Sequence, residues 1–152
     1  MTPTLYFLRS SENKIVENML QFAHPNSENT KIYSDFYGLT PKDLGLYALV
    51  DNKIAGAIWS RELDSIPTIS LAVLPEFQNR GIATAMIEQF LQEASVLYEA
   101  LKIDSFNKER NIKILKKFDF KEKNDSSFMQ ITLVKKEIVR PSDGYDPRRW
   151  MD

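Results

Sequence analysis

The chain has no cysteine among its 152 residues. Disulfides, iron–sulfur clusters, thiolate zinc sites and thiol catalysis are excluded together. Histidine is almost as scarce, His24 being the only one. Multi-histidine metal sites and most Ser–His triads therefore lack their parts, and no metal site is expected. No apolar run approaches the roughly 20 residues of a membrane-spanning helix, so no membrane contact is expected. Met1 to Arg9 lacks the basic start, apolar run and small-residue cleavage site of a secretory leader. A cytoplasmic domain is the expectation. Charge of one sign is missing too: 20 Lys plus Arg face 21 Asp plus Glu, a formal net charge of -1. Nothing long-range pulls the chain toward polyanions, and no nucleic-acid partner is expected. The chemistry left to it uses carboxylates, hydroxyls, backbone dipoles or a borrowed co-substrate.

What is present reads as one folded unit. A hydrophobic fraction of 43% and a charged fraction of 27% are ordinary globular values, and the length suits a single core. Thr4 to Leu8 predicts a strand, and Ser10 or Ser11 can cap a helix carrying Ile15, Val16, Met19, Leu20 and Ala23. His24-Pro25 closes that helix, with His24 as a dipole-compensating end group. Asn26 to Gly45 predicts a second short helix and a loop. Leu46 to Val50 and Ile54 to Trp59 flank Asp51-Asn52-Lys53 as a hairpin, and Gly56 inside it suggests a bulge or close backbone approach. Ile66 to Leu74 is a third run, stopped by Pro75.

Gly81 to Tyr98 carries the helical stripe Ile82, Met86, Phe90, Ala94 and Leu97, with Glu88, Gln89, Gln92 and Glu93 on the opposite side. Ala100 to Ser105 predicts a strand, Glu109 to Phe118 a helix and Ser127 to Lys136 a last strand. The order defines a single-domain α/β fold with a mixed, largely antiparallel sheet flanked by helices. Residues 1–137 form the domain, and residues 138–152 a C-terminal tail whose Tyr145 and Trp150 suit a homodimer contact.

One segment carries chemistry. In Val73-Leu74-Pro75-Glu76-Phe77-Gln78-Asn79-Arg80-Gly81-Ile82-Ala83-Thr84, a strand ends, a loop turns and a long helix begins at a glycine. Small residues at Gly81 and Ala83 keep side chains off the first helical turn. Its N–H groups have no partner within the helix and can face an anion, and Arg80 adds a full charge. Such a loop is a pyrophosphate cradle. The spacing alone is common by chance; its place between strand and helix gives it weight.

At Gln78, Arg80, Gly81 and Ala83 the sequence resembles the GCN5-related N-acetyltransferase superfamily, whose acyl-CoA loop reads Gln or Arg, two residues, Gly, one residue, Gly or Ala. The order of elements from Thr4 to Lys136 is similar as well. The resemblance implies an acyl-CoA N-acyltransferase-like fold with helices on both faces of the sheet. It implies transfer of an acetyl group from acetyl-CoA to a primary amine, on a small molecule or a protein, by direct attack in a ternary complex. Pantetheine would lie between the strand holding Leu71, Ala72 and Val73 and the strand Ala100 to Ser105. Gln78, Asn79, Arg80, Gly81, Ile82, Ala83 and Thr84 would hold the pyrophosphate, and Asn107 would bond the pantetheine arm.

Two positions depart from the family. Where many relatives carry a Tyr that protonates the leaving thiolate, this chain has Leu115 or a neighbour. Where many carry a Glu as base, Pro67 is followed by Thr68. Glu62, Asp64, Glu76 and Asp35 are candidates for the base, and none is singled out. An acyl-CoA-binding module with impaired catalysis is the alternative that these departures favour. The basic stretch Lys108, Arg110, Lys113, Lys116, Lys117, Lys121 and Lys123 is a solvated helix face or a partner for the CoA 3′-phosphate. Tyr33, Asp35, Phe36 and Tyr37 lie on the acceptor side by resemblance, and Trp59 is core or rim.

Overall fold

Asp51 and Asn52 both adopt left-handed backbone conformations, with φ of 51° and 65°. Short polar side chains tolerate that region, and two such residues in a row give the twist that joins adjacent antiparallel strands. The strands they join are β2 (Gly45–Val50) and β3 (Lys53–Arg61). The structure is a computed structural model that describes residues 3–7, 44–61, 65–124 and 126–139. The helices expected between Ser10 and Gly45, and the tail beyond residue 139, lie outside the described residues.

Around the hairpin the sheet grows on both sides. Strand β1 (Thr4–Phe7) pairs antiparallel with β2, and β4 (Thr68–Val73) antiparallel with β3. Strand β5 (Ala100–Asp104) runs parallel to β4, and helix α1 (Ile82–Ala94) provides the crossover that parallel neighbours require. Helix α2 (Glu109–Lys117) follows, then the two-residue edge strand β6 (Lys121–Glu122) and β7 (Phe128–Thr132). The order is β1-β2-β3-β4-β5-β7-β6, a mixed α/β domain with a mostly antiparallel sheet. Strand β6 escapes sequence reading because two residues have no period, and β7 is shorter than the run Ser127 to Lys136 suggested.

The core lies where α1 meets one face of the sheet. Leu46, Ala48, Ile58, Ile69, Leu101, Ile103 and Met129 share that face by register and form one cluster with Ile82, Met86, Ile87 and Phe90 of α1. Tyr6 and Tyr47 stack on the other face, their rings 5.6 Å apart. Gly56 fulfils both readings of its position. Pairing passes from Ala48↔Gly56 to Leu49↔Ile54, which leaves Ala55 as the extra residue of a bulge. A Cβ on Gly56 would stand 2.7 Å from the Ala72 carbonyl oxygen and 2.9 Å from Met86 Cε.

Helix α1 requires a correction. Gln89 and Glu93, expected on its polar side, are buried at 7% and 3% exposure. They satisfy one another, since Gln89 Nε2 donates to Glu93 Oε2 at 3.1 Å. Leu97, expected in the apolar stripe, is 59% exposed because the helix stops at Ala94 and the chain turns. Residues 133–139 then run back along the end of α1. Leu133 N donates to Glu99 O, Lys136 N to Ser95 Oγ and Val139 N to Gln92 Oε1.

Candidate functional site

Strands β4 and β5 touch only at Thr68↔Lys102 and Ile69↔Ile103. Beyond Ile69, β4 follows β3 and β5 follows β7, and the two strands part. Leu74 N donates back to Ala55 O at 2.8 Å on the β3 side, and Pro67 O accepts from Lys102 N at 3.0 Å on the β5 side. Strand alternation then directs the N–H groups of Leu71 and Val73 into the gap. Two donors thus line a slot that no neighbouring strand fills.

The gap widens into a cleft of about 550 Å³. Leu71, Val73, Ile87, Ile103, Ile114 and Phe128 supply apolar walls. At the wide end, Pro75–Phe77 form one tight turn, pinned by buried Phe77. Gln78 Nε2 donates to the Val73 carbonyl at 3.0 Å and draws the loop against the end of β4. Asn79 and Gly81 take φ of 64° and 79°, so the chain enters α1 through a left-handed residue. The first bond of that helix runs from Ala85 N to Gly81 O at 3.0 Å. The N–H groups of Ile82, Ala83 and Thr84 have no carbonyl one turn back and carry the positive end of the helix dipole. A Cβ on Gly81 would meet nothing within 4 Å. Gly81, Ile82, Ala83 and Thr84 all line the cleft.

Of the residues singled out from sequence, Leu71, Val73, Gln78, Asn79, Gly81, Ile82, Ala83 and Thr84 all line this cleft. Ala72 alternates to the other face of β4 and is buried. Arg80 is exposed beside the loop, outside the lining. Asn107 is also exposed and outside it, and serves a left-handed turn with Phe106, both at φ 55°. That turn is built by side chains: Asp104 Oδ1 accepts from Phe106 N at 2.7 Å, and Ser105 Oγ from Asn107 N at 3.2 Å. The asparagine facing the cleft is Asn111, whose Nδ2 donates to Ser105 O at 3.1 Å.

The basic stretch divides. Lys108 and Arg110 line the cleft, and the Arg110 guanidinium donates to Asn79 Oδ1, joining α2 to the loop across the mouth. Lys113, Lys116 and Lys117 face solvent, and Lys116 pairs with Glu122 at 3.2 Å. At the narrow end Thr68, the residue standing where many relatives carry a base, lines the cleft together with Ser70, Lys102, Asp104 and Phe128, four residues that sequence reasoning missed. Their signal was present in the alternation of Lys102 and Asp104 with apolar Leu101 and Ile103. Leu115 is buried and lines the cleft. Glu76 is exposed and outside the lining, while Glu62, Asp64 and Asp35 lie outside the described residues.

Residues 13–120 match the model of the acetyltransferase (GNAT) family, and the chain belongs to that family. No curated protein sequence matches it. Among solved structures it is similar to the ribosomal-protein-S18-alanine N-acetyltransferase of Escherichia coli, at 15% identity and a TM-score of 0.69, covering 90% of this chain and 97% of that one. It is similar to a phosphinothricin acetyltransferase from Sinorhizobium meliloti in complex with AcCoA, at 17% identity and TM-score 0.69, with 97% of each chain covered. Tetrahymena GCN5 aligns over 91% of this chain and 100% of its own, at 13% identity and TM-score 0.66. These likenesses establish the fold.

Proposed function

We propose that the protein transfers an acetyl group from acetyl-CoA to a primary amine, on a small molecule or a protein of the cytoplasm, by direct attack within a ternary complex. The carrying observation is the junction of two features: the parting of β4 from β5, and the open, left-handed glycine where α1 begins. The unpartnered first turn of α1 fits a pyrophosphate, and the apolar walls fit a pantetheine arm. The N–H groups of Leu71 and Val73 supply hydrogen bonds to that arm and to the thioester oxygen. In that role they stabilise charge that grows as the amine attacks. Orientation does the rest, which suits a chain without cysteine.

A second reading is favoured by Leu115 and Thr68. A buried aliphatic side chain cannot protonate a thiolate, and a threonine hydroxyl is no base near neutral pH. The fold would then bind acyl-CoA as a sensor or partner module. Calorimetry with acetyl-CoA and CoA is the first test. Wild type binds, Arg80→Ala binds more weakly, and Gly81→Glu loses on the order of 100-fold in affinity through like-charge contact in the cradle. Wild-type protein that binds neither compound ends both readings. Binding without release of thiol across a broad panel of amines selects the second.

A further inference from the structure

The two ends of the cleft differ in chemistry. The wide end is built for an anion. The narrow end, where β4 and β5 last pair, holds the chain's own amine: Lys102 lies level with Thr68 and lines the cleft. Its Nζ stands 5.5 Å from the centroid of the Phe128 ring. Asp104 follows two residues later on the same face of β5, opposite Phe128 across the β5–β7 pair, and its Oδ1 is held by the Phe106 N–H. Among the described residues the other lysine of the lining is Lys108, which sits at the start of α2. An acyl carrier anchored by its anionic part at Gly81–Thr84 and laid along β4 points its thioester away from Lys108 and toward Lys102.

We propose that Lys102 is a self-acetylation site, modified by the acetyl-CoA bound in its own cleft; this rests on the acetyl-CoA reading above. The ammonium gives a proton to the Asp104 carboxylate or to water, and the freed Nζ attacks the thioester carbon. The C–N bond forms, the nitrogen gives its second proton to water, the C–S bond breaks, and CoA leaves as a thiolate that is reprotonated from solvent. The net change is ammonium plus thioester to amide, thiol and one proton. Tethering replaces a bimolecular encounter, which is why Lys102 reacts ahead of lysines in solvent. Acetylation removes a positive charge beside Asp104 and leaves the narrow end more receptive to a cationic acceptor.

The test incubates the full chain with acetyl-CoA, follows binding by calorimetry in parallel, and maps acetyl groups by peptide mass spectrometry. Lys102 gains one acetyl group before Lys113, Lys116 and Lys117 do, and excess CoA suppresses the gain. Asp104→Asn slows it, and Lys102→Arg abolishes it while circular dichroism verifies folding. Measured binding with Lys102 unmodified overturns the proposal. So does labelling that follows exposure among the lysines and ignores CoA, because that is uncatalysed chemistry. Absence of binding removes the acetyl-CoA reading itself, and the calorimetric trace distinguishes that failure from the others.

Discussion

Strand β4 has two neighbours and treats them differently. With β3 it shares six residue pairs, from Gly56↔Val73 to Arg61↔Thr68; with β5 it shares two. The β3 side is closed by packing. Ala57, Ile58 and Trp59 are fully or almost fully buried there, and Gly56 lets the Ala72 carbonyl and Met86 come close. The β5 side is held open because its polar groups are met elsewhere. Gln78 takes the Val73 carbonyl, and Ser105 turns its N–H and hydroxyl to the Ser127 carbonyl at 2.9 and 2.8 Å. One flank of β4 stores stability, and the other keeps backbone donors available.

Substitutions that act on one flank and spare the other sharpen this contrast. The largest loss is expected from Gly56→Ala. Its new Cβ meets a backbone oxygen, which cannot swing aside as a side chain could, so overpacking costs ~1–3 kcal/mol. Urea unfolding would show a lowered midpoint with an unchanged slope. Acetyl-CoA affinity of the folded fraction should stay near wild type.

Gly81→Ala comes next and acts on the other flank. No atom lies within 4 Å of the added methyl, so the cost is conformational, ~1–2 kcal/mol for an L-residue in the left-handed region. Affinity should fall more here than in Gly56→Ala, because residue 81 lines the cleft at the start of α1 and Gly56 does not. Equal affinity losses in the two variants would break the division between flanks. Ser60→Ala tests the closed flank more gently. The Ser60 hydroxyl, fully buried, accepts from Leu44 N at 3.2 Å and meets the Tyr98 hydroxyl at 3.1 Å. Its loss should cost about 1 kcal/mol in thermal unfolding and leave binding intact.

The same division sets what could be read without a structure. Strands β2, β3 and β4 and helix α1 follow from local alternation, turn residues and helical period, and they emerge within a few residues of their observed ends. The loop into α1 was legible because Gln78, Gly81 and Ala83 are close in sequence and their spacing carries the geometry. The far wall came only through the resemblance, which set the strand Ala100 to Ser105 across the opening, and its other members were not legible. Ile114 of α2 and Phe128 of β7 reach the cleft only because β5 parts from β4 beyond the Ile69↔Ile103 pair, and that parting arises from competition between distant pairings. Asn107 and Asn111 show the limit most sharply. Of these two, four residues apart, it is Asn111 and not Asn107 that lines the cleft, and Asn107 lies in a left-handed turn with Phe106, a conformation that a bulky side chain seldom adopts. The buried pair Gln89 and Glu93 was hidden for a related reason: two polar residues one turn apart satisfy each other inside a helix that otherwise reads as amphipathic.

The smallest effect on stability belongs to Gln78, and two substitutions there separate loop closure from ligand contact. Its amide donates to the Val73 carbonyl in an exposed setting, so Gln78→Ala should cost only ~0.5 kcal/mol. Gln78→Glu loses the same bond, since an ionised carboxylate has no proton to donate, and adds a negative charge at the cradle. If position 78 only closes the loop, the two variants weaken acetyl-CoA alike. If the side chain also faces the pyrophosphate, the glutamate variant binds on the order of tenfold more weakly than the alanine one, and added salt narrows the difference by screening the repulsion. Calorimetry at two ionic strengths makes the distinction, and a gap insensitive to salt would assign the loss to loop geometry.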